Sequence, residues 1–193
     1  SLLNPQDAAC DFDERIFKGI SGFSPASTGQ YQFDIWGSSD SSLTDTLSFF
    51  SAVTDDIYAR DDGNQNSKYG LGRSCGGMVI GTYFDVFTFD ETKSLSVYID
   101  DKSVAGAEIY AAIYEIDSNN DKILLEESSS YVLQPNDIGA WVEVPFDNLI
   151  SLTPQTYMAA IGGYVHPFDT SLVAMSRAAR PATCYIQKNG CLS

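Results

Sequence analysis

The stretch SLSVYIDDKSVAGAEIYAAIYEID, residues 94–117, decides the fold. Its opening alternates, with Leu95, Val97 and Ile99 on one side and Ser94, Ser96 and Tyr98 on the other, the period of a half-buried strand. Residues 109–116 are apolar on both faces, which suits a strand at the centre of a sheet. The connections between such strands are too short for helical crossovers, which favours antiparallel pairing.

Outward from this stretch the same rhythm continues. From Cys75 to Gly163, apolar, β-branched and aromatic runs recur about every ten to fourteen residues, separated by polar turn clusters. Strands are expected at 78–89, 94–99, 109–116, 123–127, 141–146, 157–161, 173–175 and 184–187. Within 141–146, Val142, Val144 and Phe146 share a face, and Thr153-Pro154 ends the segment before 157–161. The economical architecture is all-β: an antiparallel β-sandwich, jelly-roll-like, over 68–193. Residues 1–67 read as an irregular N-terminal extension packing on or preceding it. That extension should hold a short helix or turn near 11–18, a strand at 31–36, and at 46–58 either a strand pair or a short helix.

The bulk composition narrows the setting. Hydrophobic residues make up 44% of 193, enough to fill a real core, so most of the chain should be ordered. With 26 acidic against 11 basic residues the net charge is -15, which repels phosphate backbones and anionic lipid and excludes nucleic acid as a partner. No apolar run approaches the roughly 20 residues of a membrane helix, so no membrane insertion is expected. The opening Ser1-Leu2-Leu3 has no basic flank, so no targeting peptide is visible and any export signal is expected outside this sequence. Cys10, Cys75, Cys184 and Cys191 are even in number and form no C-x-x-C pair, which favours two disulfides over four thiols and an oxidising compartment. Asn189-Gly190 is a tight-turn signal, so Cys184 with Cys191 could close a hairpin, leaving Cys10 with Cys75. No N-x-[ST] sequon occurs, as fits a bacterial source.

The runs at 94–117, at 131–164 (YVLQPNDIGAWVEVPFDNLISLTPQTYMAAIGGY) and at 182–191 (ATCYIQKNGC) together resemble a β-sandwich domain of large proteins exported by bacterial type IX secretion. The resemblance covers residues 68–191 and rests on pattern: a turn at Asp137 to Gly139, then Trp141 to Val144, then an apolar strand after Leu152-Thr153-Pro154. It implies an extracellular or cell-surface module of a larger protein, associated with adhesion, gliding or polymer processing, whose partners are neighbouring domains or other surface proteins. The pattern would place one further strand after Cys191 and a sorting domain beyond it, so a fragment or excised domain is expected.

Three constellations carry chemical readings. Gly72-Arg73-Ser74-Cys75-Gly76 matches the G-x-S-x-G elbow of serine hydrolases, with the only histidine, His166, downstream. An elbow needs a helix after it, however, and 78–89 reads as a strand, so Ser74 is a weak nucleophile candidate and no catalytic residue is assigned. Asp117, Asn119 and Asp121 place oxygens at alternate positions as a calcium loop does. Lys122 stands where an EF-hand has glycine and Ser128 where it has glutamate, and a polar hairpin turn explains the composition equally well. No other cofactor signature is present, and calcium is the ion the acidic loops suit. Finally, Tyr98, Tyr110, Tyr114 and Trp141 fall on strand faces, and aligned rings on one sheet would stack against a polysaccharide. Core packing is the simpler reading for Tyr114 and Trp141. The sequence thus points to a noncatalytic module with an adhesion, spacer or binding role, with carbohydrate recognition as the alternative.

Overall fold

The computed structural model describes residues 26–38, 44–59, 65–71, 77–164, 170–176 and 184–188. The chain divides into two compact units, Ser1–Asp62 and Gly63–Ser193. The division falls slightly before the expected boundary. Asn66 already donates its backbone N–H to Met175 (3.1 Å), and the second unit's first strand opens at Ser67.

The first unit contains an antiparallel hairpin of β1 (Gly29–Ser38) and β2 (Thr44–Val53), in unbroken register from Gly29↔Val53 to Ser38↔Thr44. Of the readings open for 46–58, the strand prevails, as one strand. On this hairpin Asp34 faces Ser48 and accepts hydrogen bonds from its hydroxyl (2.6 Å) and from the Gln32 amide (2.9 Å); both hold the carboxyl below its usual range. The helix or turn expected near 11–18 lies outside the described residues.

The second unit follows with β3 (Ser67–Leu71), β4 (Met78–Val86), β5 (Asp90–Tyr98), β6 (Glu108–Ile116), β7 (Lys122–Glu127), β8 (Tyr131–Val132), β9 (Trp141–Leu152), β10 (Gln155–Gly163), β11 (Ser171–Met175) and β12 (Cys184–Lys188). One layer has the order β12-β4-β10-β6-β7, with the short β8 also on β6. In the other, β3 pairs with β11 and β5 with β9. An antiparallel bridge between Ile99, just after β5, and Val173 of β11 joins these pairs into the order β3-β11-β5-β9. All pairings are antiparallel. Successive strands alternate between the layers except across β6, β7 and β8, which lie together in one layer, and the path is jelly-roll-like.

The alternation read from the sequence explains which side faces in. Ile109, Ala111 and Ile113 of β6 and Tyr157 and Ile161 of β10 pack against Ile99, Val142, Val144, Phe146, Leu152 and Val173 of the opposite layer. Ile99, Ile109, Ala111, Ile113 and Val144 are fully excluded from solvent. β3 and β8 are not among the strands expected from the sequence, and two expected strands have different bounds. β4 ends at Val86, leaving Phe87 and Phe89 exposed in a tight connection to β5. β9 runs on to Leu152 through a large bulge, where Lys93 alone stands against residues 146–149. Among the described residues no helix is long and apolar enough to cross a membrane.

Candidate functional site

Once Ile109, Ala111 and Ile113 face the core, the pleat sends Tyr110, Ala112, Tyr114 and Ile116 to the outer side of the same layer. The same parity turns out Val79, Gly81 and Tyr83 on β4, Met158, Ala160 and Gly162 on β10, and Tyr185 on β12. A second apolar cluster therefore covers the outside of the sandwich: Val79, Tyr110, Ala112, Met158 and Ala160 are buried there, with Tyr83, Tyr114, Ile116 and Tyr185 packed around them.

Small residues make this packing work. Tyr110 stands opposite Gly162 in the register, and its ring lies where a Cβ on Gly162 would be. Met158 lies over Gly81 in the same way, 2.9 Å from where a Cβ would sit. Tyr164, just past β10, then covers Tyr110, with ring centroids 5.0 Å apart and planes tilted by 41°. The result is a floor of glycine, alanine and methionine beneath five tyrosines: Tyr83, Tyr110, Tyr114, Tyr164 and Tyr185. Tyr164 is 43% exposed, and Tyr83, Tyr114 and Tyr185 each keep part of their surface open.

The face is concave. Lys122 on β7 sets its ammonium 4.3 Å from the ring centroid of Tyr185 on β12, and these are opposite edges of the five-strand layer. In a flat sheet the two strands would lie about 19 Å apart, farther than the two side chains together reach. The layer must curl toward the tyrosines to bring them into contact.

Carboxylates border this concavity. Glu127 pairs with Ala112, Glu108 precedes Tyr110 by two residues, and Asp85 follows Tyr83 by two, accepting the Thr156 hydroxyl at 2.7 Å. Burial first, then the neighbouring Tyr114, Glu127 and Tyr164, push the Tyr110 phenol up to about 12. Tyr114 is raised by burial, Glu127 and Tyr185, and Tyr164 by burial, Glu127 and Glu108. An unfolded tyrosine loses its proton near pH 10. Folded Tyr110 keeps its proton to higher pH, so its contribution to stability is intact below about pH 10 and declines as pH rises toward its folded value. Absorbance titration of phenolate is expected to show a component titrating near pH 12 that disappears in Tyr110→Phe. An unchanged high-pH component in that variant would contradict this assignment.

The structure separates the aromatics picked out in the sequence. Tyr110 and Tyr114 share the concave face, whereas Tyr98 and Trp141 are cross-strand partners on β5 and β9, in the opposite layer. Their rings meet edge to face at 5.8 Å, and the Tyr98 hydroxyl donates to the Gly139 carbonyl (2.7 Å). Trp141 is 53% exposed, so core packing does not hold for it. Val142 takes the inward place on β9, and the residue before it must face out. Tyr114 does pack on buried apolar residues, those of the outer cluster. Sequence reasoning missed Tyr83, Tyr164 and Tyr185; the parity of VIGTYFDV, with Ile80, Phe84 and Val86 turned inward, was the signal for Tyr83.

Asp117, Asn119 and Asp121 form the turn between β6 and β7. One Asp117 oxygen accepts the backbone N–H groups of Asn119 and Asp121, both at 2.8 Å, and the other faces the Asn119 amide at 3.3 Å. The carboxylate is thus spent on an Asx turn that lets Asn120 take a φ of 68°. Among the described residues no group of three or more His, Cys, Asp or Glu could hold a metal ion. Cys184 opens β12 opposite Thr82 of β4 and carries an exposed free thiol. Its expected partner Cys191, together with Cys10, Cys75, Ser74 and His166, lies outside the described residues. The strand expected soon after Gly76 is present as β4.

No protein-family model matches the chain, and no curated protein or solved structure resembles it at a significant level.

Proposed function

We propose that this chain is a noncatalytic β-sandwich module of a larger exported bacterial surface protein, and that it binds carbohydrate on its concave tyrosine face. The observation that carries the reading is the gathering of Tyr83, Tyr110, Tyr114, Tyr164 and Tyr185 on one curved side of the β12-β4-β10-β6-β7 layer. Tyrosine offers an apolar ring to the C–H face of a sugar and a hydroxyl to its polar edge, at the entropic cost of only two side-chain torsions. Curvature lets several rings touch one chain at once. The extracellular setting is supported by the net charge of -15 and by the likeness to type IX export domains. Adhesion to a polymer-coated surface is the role such a module would serve.

Affinity electrophoresis through gels containing single polysaccharides tests this reading. At least one polymer is expected to retard the protein, and Tyr83→Ala with Tyr164→Ala to weaken retention by about tenfold or more. Trp141→Ala, on the other layer, should migrate as the parent does. No retardation of folded protein by any polymer, or loss of binding only in Trp141→Ala, would sink the proposal.

A further inference from the structure

The concave face already holds one ammonium group. Lys122 sits over the Tyr185 ring at 4.3 Å, the geometry in which a cation is drawn to the negative face of an aromatic ring. Around it the charge is one-sided. Among the described residues placed on this face, Asp85, Glu108 and Glu127 are acidic, and Lys122 is the basic one. Glu127 stands on the edge strand β7 opposite Ala112, between Tyr110 and Tyr114 along β6, and its charge acts on both of those rings and on Tyr164. Glu108 accepts the Ser130 hydroxyl at 2.8 Å, and Asp85 that of Thr156, so both are held in position. Four tyrosines with partly open faces, a carboxylate beside them on the edge strand and a surplus of negative charge complement a ligand that carries several positive charges. They oppose a uronate- or sulfate-bearing chain.

We infer that the saccharide taken by this face carries free amino groups, a polymer of 2-amino-2-deoxyhexose, whose ammonium groups seat on the tyrosine rings against Glu127. In the free protein Lys122 holds one of those seats, on Tyr185. This inference rests on the carbohydrate reading of the same face and adds the chemistry that selects the sugar. An ammonium on the ligand competes with Lys122 for the Tyr185 ring, so the lysine side chain swings away as the chain is laid in. N-acetylation removes the positive charge and with it both the attraction to Glu127 and the interaction with the ring faces.

Calorimetric titration with a chitosan hexamer and with its fully N-acetylated counterpart, in mildly acidic buffer where the free amines are protonated, tests the inference. The free-amine hexamer is expected to bind at least about tenfold more tightly than the acetylated one. Lys122→Met should raise affinity for the free-amine hexamer by about two- to fivefold, because the seat is vacated and a like charge removed. Glu127→Gln should lower it several-fold, with thermal melting confirming that both variants are folded. Equal affinity for the two hexamers, with no response to Glu127→Gln, would overturn the amine preference and leave the carbohydrate reading standing. Weaker binding by Lys122→Met would make Lys122 a ligand contact and overturn its role as a placeholder. Failure to bind either hexamer, with no retention on any polysaccharide gel, would overturn both readings.

Discussion

Alanine at position 77 is expected to destabilise the sandwich by about 3 kcal/mol or more, a large part of the roughly 5–15 kcal/mol by which domains are stable. Gly77 leads directly into β4 with φ of 89°, where an L side chain alone costs about 1–2 kcal/mol. A Cβ there would also overlap the carbonyl oxygen of Gly163 at the end of β10. That carbonyl has little room to retreat, because Gly163 itself lies against Leu71, whose Cβ would be 2.6 Å from any side chain placed on it. The variant must therefore part β4 from β10 where their pairing in the five-strand layer begins. Guanidinium unfolding measures the loss directly, and a decrease below about 1 kcal/mol would mean that the strand ends yield freely.

Tyr157 is the second position of large effect, and two variants there separate its ring from its hydroxyl. The side chain is 1% exposed and its ring stacks on Phe84, centroids 5.8 Å apart. Tyr157→Ala should cost about 3–5 kcal/mol as the inter-layer core loses an aromatic group. The hydroxyl accepts the Thr153 backbone N–H at 2.9 Å and the Gln155 amide at 2.8 Å, binding the turn between β9 and β10 to the core. Tyr157→Phe leaves those donors without that acceptor and should cost about 1–3 kcal/mol. The same denaturation experiment distinguishes the two, and equal losses would mean that the ring contributes little beyond its hydroxyl.

The strands were legible because a buried residue at every second position writes itself into the chain. Leu95-Val97-Ile99 and Val142-Val144-Phe146 each face the core as their spacing requires. The run after Val86 misled, because Phe87 and Phe89 continue the apolar character of β4 while lying exposed in the connection. Their exposure depends on where the chain crosses between layers, which no local pattern records. The candidate site was half legible. Alternation sets Tyr110 and Tyr114 on one side of β6, but their company with Tyr83 and Tyr185 depends on which strands are neighbours. Trp141 and Tyr98 looked equivalent to them because outward-facing rings read alike in either layer. The curl that brings Lys122 to Tyr185 comes from strand packing across the whole layer, and no spacing in the sequence encodes it.

The pairing of β3 with β11 also sets the order in which the molecule can be assembled. Leu71 is registered with Ser171, and the Ser171 hydroxyl donates back to the Leu71 carbonyl across 100 residues of chain. Until β11 arrives, β3 offers a row of unsatisfied backbone groups with no partner in its own layer. Contacts this distant close late, and sandwiches built on them take milliseconds to seconds to form. A chain emerging from its amino end therefore carries an unfinished β3 until nearly all of its strands are out, and the β3-β11-β5-β9 layer closes in one late event.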